Sequence, residues 1–211
     1  MDLRILGTAV AVAVALVAGT AVLGAPEKLM DPAKLTAKAP EMFKAKFDTT
    51  QGTIVIEVHR AWSPNGADRF YNLVKNGYYD GVKFFRVVPG FIVQWGIHGD
   101  PSIAIRWLKA EIPDDAVKES NTRGFVTYAK SGAPNSRSVQ LFINLADNAR
   151  LDATGFAPFG KVTEGMDVAD KLYGGYGEGL KNLQGRIAEE GNAFLEKNYP
   201  QLDGINRATI E

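Results

Sequence analysis

The spacing of hydrophobic and polar positions changes character along the chain. Ile5 to Ala25 (ILGTAVAVAVALVAGTAVLGA) carries no charge, follows Arg4, and has small residues at Gly19, Ala21, Gly24 and Ala25. Such a run reads as an export signal. Its length also suits the ~20 apolar residues that cross a bilayer, so a cleaved leader and an uncleaved membrane anchor both fit it. Pro26 disfavours cutting directly after Ala25. The next stretch, Pro26 to Glu41, has three prolines, scattered lysines and no period that would bury a face, which predicts a tether. The expected organisation is therefore a signal peptide or anchor over 1–25, a linker over 26–42 and one folded domain over 43–211.

From Phe43 the pattern alternates. Phe43, Ala45 and Phe47 point one way, and after a Thr49-Thr50-Gln51-Gly52 turn Ile54, Ile56 and Val58 repeat the pattern. This predicts a β-hairpin with one buried face. Ser63-Pro64 then supplies a helix N-cap with proline at the first helical position. Ala67, Phe70, Tyr71 and Val74 follow at helical spacing until Gly77. Short strands fit Lys83 to Val88, Phe91 to Trp95, Gly124 to Ala129, Gln140 to Asn144 and Phe159 to Val162, and a second helix fits Gly165 to Tyr173. Many short strands and two helices in this stretch favour a mainly β fold, a closed or nearly closed antiparallel barrel. Beyond it, Leu180 to Tyr199 could form a helix with Leu183, Ile187, Phe194 and Leu195 on one side, interrupted at Gly191-Asn192. Ile205 to Ile210 then reads as a last strand. Residues 180–204 thus form a helical insertion before that strand, a segment that could dock another protein.

Composition narrows the chemistry. Lys plus Arg and Asp plus Glu number 24 each, so the net charge is zero, which argues against broad electrostatic binding to nucleic acid or an anionic membrane. There is no Cys and only His59 and His98. Thiol nucleophiles, disulfides, Cys-rich zinc sites and lipoprotein acylation are excluded, and no metal or cofactor is expected. His59 at a strand end reads as a surface residue and His98 as loop structure. Gly155 to Lys161 imitates a phosphate-loop spacing, but Val162 stands where Ser or Thr must bind magnesium, and Phe156, Pro158 and Phe159 obstruct an amide cradle. The glycines of Gly174 to Gly179 do not make a dinucleotide fingerprint and read as a flexible loop. Asp114 and Asp115 read as a solvated loop rather than a catalytic pair.

One dense constellation remains: Phe84-Phe85-Arg86-Val87-Val88-Pro89-Gly90-Phe91-Ile92-Val93-Gln94-Trp95-Gly96. A lone arginine among apolar strand residues is costly to bury without a task. Here, and at Phe125 to Ala129, Pro134-Asn135-Ser136, Gln140 to Ile143 and Leu151-Asp152 to Val162, the chain resembles the cyclophilins, peptidyl-prolyl cis-trans isomerases, over roughly Phe43 to Tyr173. The resemblance implies an eight-stranded antiparallel barrel closed by two helices and an enzyme that turns X-Pro bonds in proline-containing peptides and unfolded clients. By the same resemblance Arg86 matches the catalytic arginine. Phe91, Ile92 and Phe142 match the proline pocket, Gln94 and Gln140 the groups that hold the peptide backbone, and Ala129 and Leu151 further lining positions. Departures accompany the match. Arg150 occupies the place where many cyclophilins carry Trp, which implies weak cyclosporin binding. Lys130 stands where Asn is usual, and a loop about one residue longer over Ala153 to Pro158 offers Phe156, counted here with the substrate-binding residues, where His is common. Phe85 and Trp95 replace a frequent His and a small residue. A non-catalytic proline-peptide module or chaperone with the same fold is the alternative. With the leader, the whole reads as an exported, periplasmic or extracytoplasmic isomerase, anchored to the inner membrane if the leader is retained.

Overall fold

The computed structural model describes residues 27–211; the leader or anchor expected over 1–25 lies outside them. Eight antiparallel strands form one curled sheet: β1 (Met42–Thr49), β2 (Gly52–His59), β3 (Arg86–Val88), β4 (Ile92–Trp95), β5 (Phe125–Tyr128), β6 (Leu141–Asn144), β7 (Pro158–Glu164) and β8 (Ile205–Ile210). Their order is β3-β4-β6-β5-β7-β2-β1-β8. The end strands β3 and β8 share no ladder. Single backbone bonds between residues 82–84 and 203–205 join them instead, Phe84 N to Asp203 O at 3.0 Å and Ile205 N to Val82 O at 2.9 Å. The mainly β, eight-stranded antiparallel barrel of the sequence reading is present, with closure made by these few bonds rather than by full strand pairing.

The barrel interior is filled by the inward positions of each strand. Val87, Val93, Ile143 and Val126 lie in register across β3, β4, β6 and β5 and are all buried. The 2.0 period of a strand then sends their neighbours to the opposite face. Helix α1 (Pro64–Lys75) covers one end of the barrel, where Phe70 packs on Phe47 at 6.0 Å and Phe159 at 5.0 Å. Burying each such ring stabilises by roughly 1.5–3 kcal/mol. Helix α3 (Met166–Lys171) packs beside β2.

Several expectations are corrected. The two-helix count omits α2 (Pro101–Leu108), capped by the Asp100 carboxylate, which accepts from Ser102 N at 2.8 Å, with Pro101 at its first position. Ser63 does not cap α1 through its own hydroxyl; Oγ donates to Asp115 Oδ2 at 2.5 Å, and Asp115 accepts the first helical N–H groups, Gly66 N at 3.0 Å and Asn65 N at 3.2 Å. Asp115 is therefore no solvated loop residue: its side chain is 6% exposed and pairs with the buried Arg137 at 2.9 Å. His98, expected as loop structure, does lie outside the helices and strands, accepting from Asp100 N at 2.9 Å.

The tether is corrected as well. Over 27–41 the chain lies on the barrel, with Leu29 fully buried and its carbonyl accepting from Trp107 Nε1 at 2.7 Å. Ala39 N donates to Asp68, and Ala37 exchanges bonds with Asn72. Scattered apolar residues suffice here because backbone groups find side-chain partners on α1.

The insertion forms a 3₁₀ turn (Lys181–Leu183) and α4 (Gln184–Asn198). Gly191 breaks α4 at φ +64°, where a Cβ would lie 2.1 Å from Gly99 O, and Asn192 N donates to that same carbonyl at 2.9 Å. The apolar face of α4 is already occupied: Ile187, Phe194 and Leu195 are buried in a second cluster with Phe85, Ile97, Ala104 and Leu180. That face packs against α2 and the segments flanking β3 and β4.

Candidate active site

The register that fills the core also builds the site. Arg86 on β3 pairs with Gln94 on β4, Gln94 with Phe142 on β6, and Phe142 with Thr127 on β5. These residues alternate with the buried valine row, so they face outward together. The hairpin turn at Pro89-Gly90 places Phe91 beside Arg86, whose Cζ lies 5.6 Å from the ring centroid.

The result is a groove of about 460 Å³. Arg86, Phe91, Ile92, Gln94, Ala129, Gln140, Phe142, Leu151 and Phe156 all line it. The structure brings together every site residue the sequence reading singled out. Phe142 and Phe156 meet edge to face at 5.8 Å. Lys130 lies 5.9 Å above the Phe156 ring, and Arg150 lies 4.9 Å above Phe91.

The polar groups form a chain. Gln140 Oε1 accepts from Gln94 Nε2 at 2.9 Å, and Gln94 Oε1 accepts from Arg86 Nη1 at 2.9 Å. Gln94 is buried, which makes these bonds strong and their loss expensive. Arg86 is also held by Glu178, with Nε on Oε2 at 2.9 Å and Nη2 on Oε1 at 2.7 Å. The Arg86 guanidinium, by donating to Glu178, holds that carboxyl below its usual range, against a smaller opposing effect of burial. Lys181 and Gln184, beyond the same loop, line the groove too.

The loop that carries Leu151 and Phe156 hangs on buried amides. Asn121, fully buried, donates from Nδ2 to Asp152 Oδ1 at 2.7 Å and to Phe156 O at 2.8 Å. Its Oδ1 accepts from Thr127 Oγ1 at 2.8 Å. Asn148 Nδ2 donates to Phe91 O at 3.0 Å and to Asn144 Oδ1 at 2.9 Å. Gly155 at φ +80° ends the 3₁₀ turn Ala149–Thr154, a left-handed conformation that glycine adopts without strain. Sequence reasoning missed Asn121, Asn144, Asn148, Glu178 and the groove positions Lys181 and Gln184. The amides carry no motif of their own; only a buried asparagine's need for partners would have marked them.

An apolar slot, one arginine at its edge and a line of amides give this barrel the chemistry to hold an extended peptide segment. Comparison with known proteins agrees. The family model "Cyclophilin type peptidyl-prolyl cis-trans isomerase/CLD" matches residues 44–188. A peptidyl-prolyl cis-trans isomerase of Acinetobacter baylyi is 37% identical over 143 residues, covering 65% of this chain and 76% of the relative. Peptidyl-prolyl cis-trans isomerase B of Escherichia coli is 34% identical over 136 residues, covering 61% of this chain and 82% of the relative. In fold, a cyclophilin crystal structure from Hirschia baltica superposes with a TM-score of 0.58 at 20% identity, covering 81% of this chain and 77% of that one. The chain belongs to the cyclophilin-type peptidyl-prolyl cis-trans isomerase family.

Proposed function

We propose that the groove is where this isomerase turns X-Pro bonds, with Arg86 as its catalytic residue. The observation that carries the assignment is the placement of Arg86, its side chain 12% exposed, at the edge of a slot walled by Phe91, Ile92 and Phe142. Rotation of an X-Pro bond faces a barrier of about 18–20 kcal/mol from amide resonance and takes tens to hundreds of seconds unaided. No covalent bond breaks, so neither a nucleophile nor a cofactor is called for. In the twisted transition state the lone pair localises on the proline nitrogen. An Arg86 N–H then finds an acceptor that the planar ground state lacks, which is stabilisation selective for the transition state. The apolar wall holds the pyrrolidine ring, and Gln94 and Gln140 fix the flanking backbone. Ala129, Leu151 and Phe156 line the rest of the peptide's path.

The uncharged run Ile5 to Ala25 supports export, with action on proline-containing proteins folding outside the cytoplasm, in the periplasm or tethered to its membrane. Arg150, 4.9 Å from the centre of the Phe91 ring, supports weak cyclosporin binding.

Titration of the ¹⁵N-labelled protein with an Ala-Pro peptide tests the groove assignment. Shifts at Phe91, Ile92, Gln94 and Phe142, together with cis-trans exchange broadening of the peptide, are expected. Broadening of the peptide with no shift at those positions would place catalysis elsewhere.

A further inference from the structure

The loop between α3 and α4, absent from the motif that defines the groove, reaches the catalytic arginine. We propose that Glu178 is a positioning residue for the isomerisation, clamping one edge of the Arg86 guanidinium so that its remaining N–H groups are presented to the peptide. This rests on the role given to Arg86 above.

The donor count shows how. A guanidinium has five N–H groups in one plane. Nε and Nη2 donate one each to the two oxygens of Glu178, and Nη1 donates one to Gln94. One N–H on Nη1 and one on Nη2 are left for the groove. A two-point carboxylate contact fixes the plane of an arginine in a way a single bond cannot. Without Glu178, Gln94 alone would hold the tip of a long, flexible side chain.

Glu178 can act as a clamp only if its own backbone is fixed, and it is. Leu180, two residues on, is fully buried among Phe85, Ile97 and Ala104. Successive tight turns bracket the position: Gly177 N to Gly174 O at 3.0 Å, Gly179 N to Tyr176 O at 2.8 Å and Lys181 N to Glu178 O at 3.0 Å. Gly177 adopts φ +49°. The ring of Tyr176 meets Tyr173 and Tyr199 edge to face, each at 5.1 Å. The second apolar cluster and these turns thus hold a loop that its glycines alone had suggested was flexible, and carry it from outside the barrel to the arginine. The ion pair also offsets the Arg86 charge at the groove edge. The carboxylate is held ionised by Arg86 itself, so the clamp persists across neutral pH.

The test compares Glu178→Ala, Glu178→Gln, Arg86→Ala and the double variant for kcat and KM on an X-Pro tetrapeptide. Misplacement of a catalytic group by about 1 Å can cost up to 10²-fold. Glu178→Ala is expected to lose about tenfold in kcat with little change in KM, and Glu178→Gln, which keeps one acceptor, should fall between. Added formate should restore part of the Glu178→Ala rate and none of the Arg86→Ala rate. In the Arg86→Ala background, Glu178→Ala should have no further effect. The Nε–Hε resonance of Arg86 should move to that of a free guanidinium in Glu178→Ala while the Leu180 methyl signals stay in place. A Glu178→Ala variant as fast as, or faster than, wild type would overturn the proposal, as would a loss that persists in the Arg86→Ala background. If Arg86→Ala itself matched wild type, the assignment of Arg86 would fall instead.

Discussion

Asn121→Ala removes four side-chain hydrogen bonds at one fully buried position. The Thr127 hydroxyl, itself fully buried, loses its one side-chain partner among the described residues. The Phe156 carbonyl loses the amide that ties it to the barrel. Asp152 and Asn144 are less affected, since Asp152 keeps Asn121 N and Ser120 Oγ, and Asn144 keeps Phe125 O. Stranding a buried polar group costs about 1–3 kcal/mol, so a hydroxyl and a partly buried carbonyl together give roughly 3 kcal/mol. At about 2–4 °C per kcal/mol for a chain of this size, Tm should fall by about 10 °C. The released carbonyl belongs to the residue that walls the groove against Phe142, so function should change in a specific way. KM for an X-Pro peptide should rise while kcat, set at Arg86 on the far side, changes little. Calorimetry with steady-state kinetics measured well below the new Tm reads both. A stability loss below about 1 kcal/mol would refute the bond accounting, and an unchanged KM would refute the link from Asn121 to the Phe156 wall.

Further outcomes follow from other positions. Burial alone would raise the Asp115 carboxyl, yet bonds from Ser63, Gly66 N and Arg137 together hold it below its usual range. Its stabilisation is therefore complete above the unfolded carboxylate value of about 3.9 and is lost as pH falls through the lower folded value. Urea midpoints should drop in that acid window for wild type and flatten for Asp115→Asn; parallel curves would contradict this. Arg150→Trp should strengthen cyclosporin binding by calorimetric titration, and equal affinity in both proteins would show that Arg150 does not set it. N-terminal sequencing of the protein recovered outside the cytoplasm should begin past the apolar run if the leader is cleaved; recovery only from the cytoplasm would end the export proposal.

What could be read from the sequence followed from period and glycine. The β1-β2 hairpin, α1, the α4 break at Gly191 and β8 each show alternation, 3.6-residue spacing or a glycine at a bend. In the groove, Arg86 was legible as a charge among apolar strand residues, while Gln94, Gln140 and the apolar walls were legible only through the resemblance to cyclophilins. Helix α2 was overlooked although Asp100-Pro101 is a cap followed by proline; its short apolar stretch has too few turns to display a period. Leu29 and Ala39 could not be placed in the core from a Pro- and Lys-rich segment, because what fixes them are bonds to Trp107 and Asp68 far along the chain. Asp115 and Glu178 are invisible for the same reason. A carboxylate's partner 22 residues away at Arg137, or 92 residues away at Arg86, leaves no local pattern.

The most direct measurement is the isomerisation rate of an X-Pro tetrapeptide with wild type and with Arg86→Ala, each assayed well below its own Tm. A donor aimed at charge that develops only in the transition state is worth about 10²–10³ in rate, so Arg86→Ala should lose that much in kcat while still binding the peptide. An Arg86→Ala variant as active as wild type would contradict the account at its centre.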